Sequence, residues 1–364
     1  MKNFTANNTA RQGNSFSPLL ALFLLVSFVS HSIAADISWT NTTGGNWSVA
    51  ANWNPNAVPA STDNVFITNS GTYTVTFDII GNGSVSNLTL GGVTGTQVLS
   101  NDVMYLTIFG SGNINSNGVL TYSGGNVAGR KSINSGGKIV WNGGDMNGAL
   151  TIAPNGLLEV TNGGTKRLLA AGSINNFGRV VWSGGPFSFQ APAPFYNESG
   201  GRLEIQCDGQ TMSSSYFFNR GGVFLKTVGS GTSTIRMNFD NNDGFITNAS
   251  TGVLLFSDGG NMKGIIAAES GTIIFRAVLS GQSFTLDGAF YAAAGGTNLF
   301  QGKFTFNNGE QNFTGPGVND FGFGNADFNV PITNLTLNGV LIGTNELRGT
   351  MNLTNLGGIN GVLT

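Results

Sequence analysis

Four side chains carry the arrangement best suited to acid–base or ion chemistry: Lys226, Arg236, Asp240 and Asp243. They lie in and just before TVGSGTSTIRMNFDNNDG (227–244), which occupies the widest gap in an otherwise regular repeat. Paired carboxylates beside basic groups are what a lyase- or glycosidase-type site requires, one group moving a proton while others bear charge. Asp240 and Asp243 are also oxygen donors that could take calcium, although their spacing and glycine position do not fit an EF-hand loop. A solvated loop inserted into the repeat is the plainer reading of the same residues.

Two further sets could contact glycans. Lys138, Arg179 and Arg202 each follow a repeated glycine and are expected on one outer face, where basic groups attract acidic polysaccharide. Leu157 interrupts them, so solubility is the competing explanation. Trp39, Trp47 and Trp53 crowd into fifteen residues near the start of the chain. Their indoles suit either a sugar-binding patch or a hydrophobic end cap.

Other chemistry is excluded by what is missing. The one histidine, His31, falls in a segment that reads as a secretory signal: Lys2 and Arg11 precede the apolar run LLALFLLVSFV (19–29), and Ser32 and Ala34 supply small residues for cleavage. The run is too short to span a bilayer as a helix. A chain processed after Ala34 has no histidine for a base, a nucleophile triad or a metal. Cys207 is the single cysteine and alternates with Leu203 and Ile205, the pattern of a buried thiol. With 16 basic and 18 acidic residues in 364, the chain has no electrostatic footprint for nucleic acid. The 56 glycines, the many asparagines and the lack of long Leu/Glu/Lys/Ala-rich runs also argue against helical bundles.

The element that must position these side chains is a repeat of about twenty residues. NSNGVLTY (115–122), NSGGKIVW (134–141), NNFGRVVW (175–182) and NESGGRLEI (197–205) share it, with looser copies elsewhere. The aligned glycines are Gly118, Gly137, Gly156, Gly178, Gly201, Gly222, Gly252 and Gly271. Of the residues two and four places after them, only Lys226 is not apolar. Period-two alternation of this kind is a strand with one buried face. Units this short bury that face only by stacking, one coil per repeat. The sequence thus predicts an all-β, parallel β-helix, with Trp141 and Trp182 turned inward. Asn115, Asn134, Asn175, Asn197 and Asn219 form a side-chain ladder or simply suit the turns. The predicted organisation is a signal peptide over 1–34, a Trp-rich cap over 35–78 and coils over 79–364.

The stretch GGNWSVAANWNPNAVPASTDNVFI (44–67) resembles the opening of large bacterial exported β-helix proteins of the autotransporter-passenger type. That resemblance implies a right-handed β-helix, secreted or displayed at the cell surface, and brings no catalytic residues with it. GGDMNGALT (143–151) nearly repeats as GGINGVLT (357–364), where the sequence stops in mid-strand, so a longer protein is expected. The functional expectation is a non-enzymatic surface, adhesion or extracellular structural protein without a required cofactor. Its expected partners are polysaccharides or cell-surface glycans. The alternatives are a polysaccharide-active enzyme, or a passenger stalk for a further domain.

Overall fold

The computed structural model describes residues 34–363 except 103, 162–163, 307–309, 329–331, 338–339, 349–350 and 355–357, with side chains described to Asp320 apart from Ser215 and 306–312. The predicted signal peptide lies outside the described residues but for Ala34. Among the described residues the one helical element is a 3-10 turn, Ala50–Asn52, and no helix is long and apolar enough to cross a membrane.

Strands dominate because apolar and small polar residues alternate along nearly every segment, and the burial pattern alternates with them. The strands stack in parallel as a β-solenoid with three faces. Face 1 runs through Gly118–Tyr122, Lys138–Trp141, Leu157–Val160, Arg179–Trp182, Arg202–Ile205 and Val223–Lys226. Face 2 includes Gly144–Met146, Lys166–Leu168 and Phe187–Phe189. Face 3 includes Ala149–Ile152, Ser173–Asn176 and Phe195–Glu198. From Asn64 to Phe306 the longest connections between strands, 91–96 and 278–283, have six residues.

Inward residues make one continuous core. All sixteen of the positions two and four places after the aligned glycines are buried, Lys226 included. Aromatic rings stack coil upon coil: Phe195, Phe217 and Phe239 at 4.7 Å steps on face 3, and Phe256, Phe275 and Phe300 at 5.4 Å steps on face 2. Trp141 and Trp182 are buried as expected, and their indole N–H groups donate to Gly144 and Gly185 carbonyls.

One sequence expectation is overturned. The segment 227–244 is not an inserted loop, because Thr232–Asn248 is a single long strand bent around the solenoid. Phe245–Asn248 pairs in register with Val223–Lys226, so Gly244 continues the glycine series of face 1, followed by Gly264 and Gly288. Gly252 and Gly271 precede Val253 and Thr272 on face 2, where the segment starting at Thr232 is their neighbour. The 30 residues between Gly222 and Gly252 separate glycines on two different corners.

The asparagine ladder is real but shifted. Asn176 donates to Asn197, Asn197 to Asn219 and Asn219 to Asn241, at 2.8, 2.8 and 2.6 Å, all inside the solenoid. Asn176 takes the place expected for Asn175, and Asn134 and Asn115 form a separate pair at 2.6 Å.

At the N-terminal end Trp39, Trp47 and Trp53 are buried and pack edge to face, both contacts to Trp53 at 4.8 Å. Asp36–Trp39 pairs antiparallel with Trp53–Asn54 and parallel with Asn64–Ile67. Regular coil stacking therefore already includes 64–67 and 73–76, ahead of the boundary expected at 78.

Candidate functional site

Lys226 does not face a surface site. Its side chain is fully buried, and Nζ donates to Asp208 at 2.7 Å, Ser233 at 2.9 Å and the Cys207 carbonyl at 3.3 Å. That hydrogen bond is the main reason the Asp208 carboxyl is held below its usual range. Cys207 is buried as expected, and burial pushes its thiol up to about 12.

The other members of the expected cluster are spread around the solenoid. Arg236 is exposed on face 2, Asp240 lies on face 3, and Asp243 is exposed at the following corner with a left-handed φ of 58°. Asp243 forms an ion pair with Lys263 at 3.3 Å. No hydrogen bond or ion pair joins any two of Lys226, Arg236, Asp240 and Asp243 among the described residues. A strand alternates its side chains between interior and exterior, so nearness in sequence disperses these groups rather than gathering them. Among the described residues no group of three His, Cys, Asp or Glu side chains is placed to hold a metal ion.

The basic row has the predicted register: Lys138, Leu157, Arg179, Arg202 and Val223 succeed one another on the outside of face 1. It is paired with acids. Lys138 meets Glu159 at 2.7 Å, and Arg179 and Arg202 share Glu204 at 2.8 and 2.6 Å. The hydrogen bond from Arg179 is the largest influence lowering the Glu204 carboxyl to about 2. The row is therefore a lattice of ion pairs. The tryptophans also offer no surface, their exposures being 0% for Trp39, 1% for Trp47 and 2% for Trp53. The motif residues of 44–67 serve packing: Trp47, Trp53, Val65 and Ile67 point inward, and the Asp63 carboxylate accepts from the Ala35 and Ala60 amides.

The outer side of face 3 holds a different constellation. Tyr196, Phe218, Asp240, Asn261 and Thr285 occupy one register column across five coils. The Tyr196 and Phe218 rings stack at 5.2 Å, and Tyr216 lies beside Phe218 at 6.0 Å with only 12° between the ring planes. The Arg220 guanidinium sits 4.3 Å from the Tyr196 centroid and 5.1 Å from that of Phe218, and it meets Glu198 at 3.4 Å. Beyond the rings, Tyr216, Phe218, Asn238, Asp240, Asp258 and Asn261 border a concavity of about 400 Å³. Asp258 also borders a neighbouring hollow of about 380 Å³, together with Arg236 and Ser213.

Of this group only Asp240, and Arg236 at its margin, were legible as candidates. The aromatics alternate with the inner Phe195 and Phe217, so FYNE and SYFFNR contain the signal. Reading it requires knowing which coils are neighbours. Comparison of the chain with protein-family models, with curated proteins and with solved structures gave no match.

Proposed function

We propose that the chain is an exported, non-enzymatic β-solenoid that acts as a surface, adhesion or extracellular structural component. The observation that carries this reading is the unbroken stacking of coils through 227–244, which leaves the expected catalytic side chains on separate faces. A solenoid with short corners presents long, regular lateral surfaces and resists local opening, because each coil is hydrogen-bonded on both sides. The apolar run at 19–29 and the resemblance of 44–67 to exported β-helix proteins support export. In that setting polysaccharides or cell-surface glycans are the natural partners.

The test has two parts. Expression of the full chain in a secreting host, followed by N-terminal sequencing of the exported product, should find a start at Ala35. Incubation of that product with acidic and neutral polysaccharides, with and without calcium, should release no new reducing ends and no unsaturated sugars. Retention of the uncleaved chain inside the cell would refute export, and turnover of any polysaccharide would refute the non-enzymatic reading.

A further inference from the structure

We infer that the concavity on face 3 bordered by Tyr216, Phe218, Asn238, Asp240, Asp258 and Asn261 is a binding site for a neutral polysaccharide chain. The assignment stands on these side chains and does not depend on export.

Three observations converge. The first is the aromatic platform. Tyr216 is 47% exposed, and its ring is nearly coplanar in orientation with the half-buried Phe218 beside it. Two aligned rings at the edge of a hollow offer the apolar face of a pyranose a flat surface to stack on. The second is unmet hydrogen-bonding capacity. Asp240 Oδ1 and Asn261 Oδ1 are occluded from solvent and have no hydrogen-bond partner, although their residues are adjacent in register and both border the hollow. The terminal torsions of Asp and Asn are soft, so a small rotation presents either oxygen to an incoming donor. The Asp240 carboxylate only accepts, and the Asn261 amide offers both an acceptor and a donor, which suits the hydroxyl groups of a sugar.

The third is charge. Asp240 and Asp258 both border the hollow, the nearby Arg220 is held by the Tyr196 and Phe218 rings and by Glu198, and the exposed Arg236 lines only the adjoining hollow, with Asp258. Carboxylates at the rim repel uronate or sulfated chains, and hydroxyl groups of a neutral glycan suit them. Tyr196, Phe218, Asp240, Asn261 and Thr285 recur at one residue per coil, at steps of about 4.8 Å, so a sugar stacked on the free face of Phe218 comes within reach of Asp240 on the next coil.

The assignment predicts that the full chain is retarded in native gels containing soluble neutral β-glucan or mannan, and is not retarded by polygalacturonate. Tyr216→Ala and Asp240→Ala should each weaken the retardation about tenfold, the loss of one stacking or hydrogen-bonding contact. Both positions are on the outside, and circular dichroism of each variant checks that the coils persist. Tyr291→Ala, at a 42% exposed tyrosine on face 1, should bind as the parent does. Chelator should change nothing. The idea is overturned if no neutral polysaccharide retards the chain, if polygalacturonate is preferred, or if Tyr291→Ala weakens binding as much as Tyr216→Ala. It is also overturned if chelator abolishes binding, since the acceptors would then be serving a cation.

Discussion

The Asn197 side-chain amide and Gly222, one coil apart, are packed so closely that a β-carbon on the glycine would lie 2.5 Å from Asn197 Nδ2 and 2.7 Å from Cγ. Gly244 stands in the same relation to the Asn219 amide. At these two positions the ladder requires glycine: the coil turns directly over an amide that is busy on both sides. Asn197 accepts from Asn176, and its Nδ2 donates to Asn219 and to the Val223 carbonyl at 3.1 Å. Gly222→Ala should lower unfolding free energy by about 1–3 kcal/mol through overpacking. Asn197→Ala should lower it by about 2–4 kcal/mol, because buried partners lose their bonds. The double variant should fall short of the sum, since the new methyl enters space that the amide vacated. Urea denaturation of the three variants measures the coupling, and strict additivity would show that the contact does not constrain the turn.

Tyr122 offers the opposite case. Its ring stacks on Trp141 at 5.6 Å, yet its hydroxyl is buried without a hydrogen-bond partner. Burial first, and then the charge of Asp145, pushes the phenol well above its ordinary range. Tyr122→Phe keeps the stacked ring and removes the unpaired group. The urea midpoint should rise, corresponding to a gain of about 1 kcal/mol. A loss of that size would mean the hydroxyl has a partner that matters.

The fold was legible because inward alternation leaves a direct record in sequence: Leu120/Tyr122 through Leu203/Ile205 needed only a period of two and a glycine. The same rule fails where two corners both carry glycine: Gly244, and not Gly252, continues the series of Gly222. The site was much less legible. Asp240 drew attention as an acid, but Tyr216, Phe218 and Asn261 gain meaning only from the coils beside them. Phe218, Asp240 and Asn261 are each a full coil apart in sequence, and only Tyr216 and Phe218 share a strand. Lys131 and Lys166 were missed altogether, since an isolated lysine gives no sign that its strand turns it inward.

Glu204 connects the outer ion pairs to acid stability. Its carboxyl titrates near 2 in the folded chain against an ordinary 4.5, chiefly through the Arg179 hydrogen bond. Between those values the unfolded chain binds more protons, so this contribution is complete above about pH 4.5 and declines as pH falls toward 2. Both guanidinium groups are about half exposed, which screens the pairs and leaves about 1–2 kcal/mol. Glu204→Gln should therefore cost stability at pH 6 and little at pH 2.5. Chemical denaturation at the two pH values separates this from a packing defect, which would cost the same at both.

Lys131 should govern the alkaline side. Its ammonium points inward to the Val127, Gly129 and Asn147 carbonyls at 3.1, 2.7 and 2.8 Å, which match three N–H donors. Burial nevertheless works against the charge and lowers its titration from 10.5 to about 7. Between those values the unfolded lysine holds a proton that the folded one has released, so stability rises with pH across the window. The full effect of such a shift is on the order of 3–5 kcal/mol. Lys166, lowered to about 8 by burial, adds a smaller rise in the same direction. Lys131→Met retains an unbranched apolar stem and cannot titrate. Its urea midpoint should climb less than the parent's between pH 6.5 and 8.5, below the range in which the unfolded Cys207 thiol ionises, keeping only the share due to Lys166. Equal slopes in the two proteins would show that Lys131 remains protonated in the core, held by its three carbonyls.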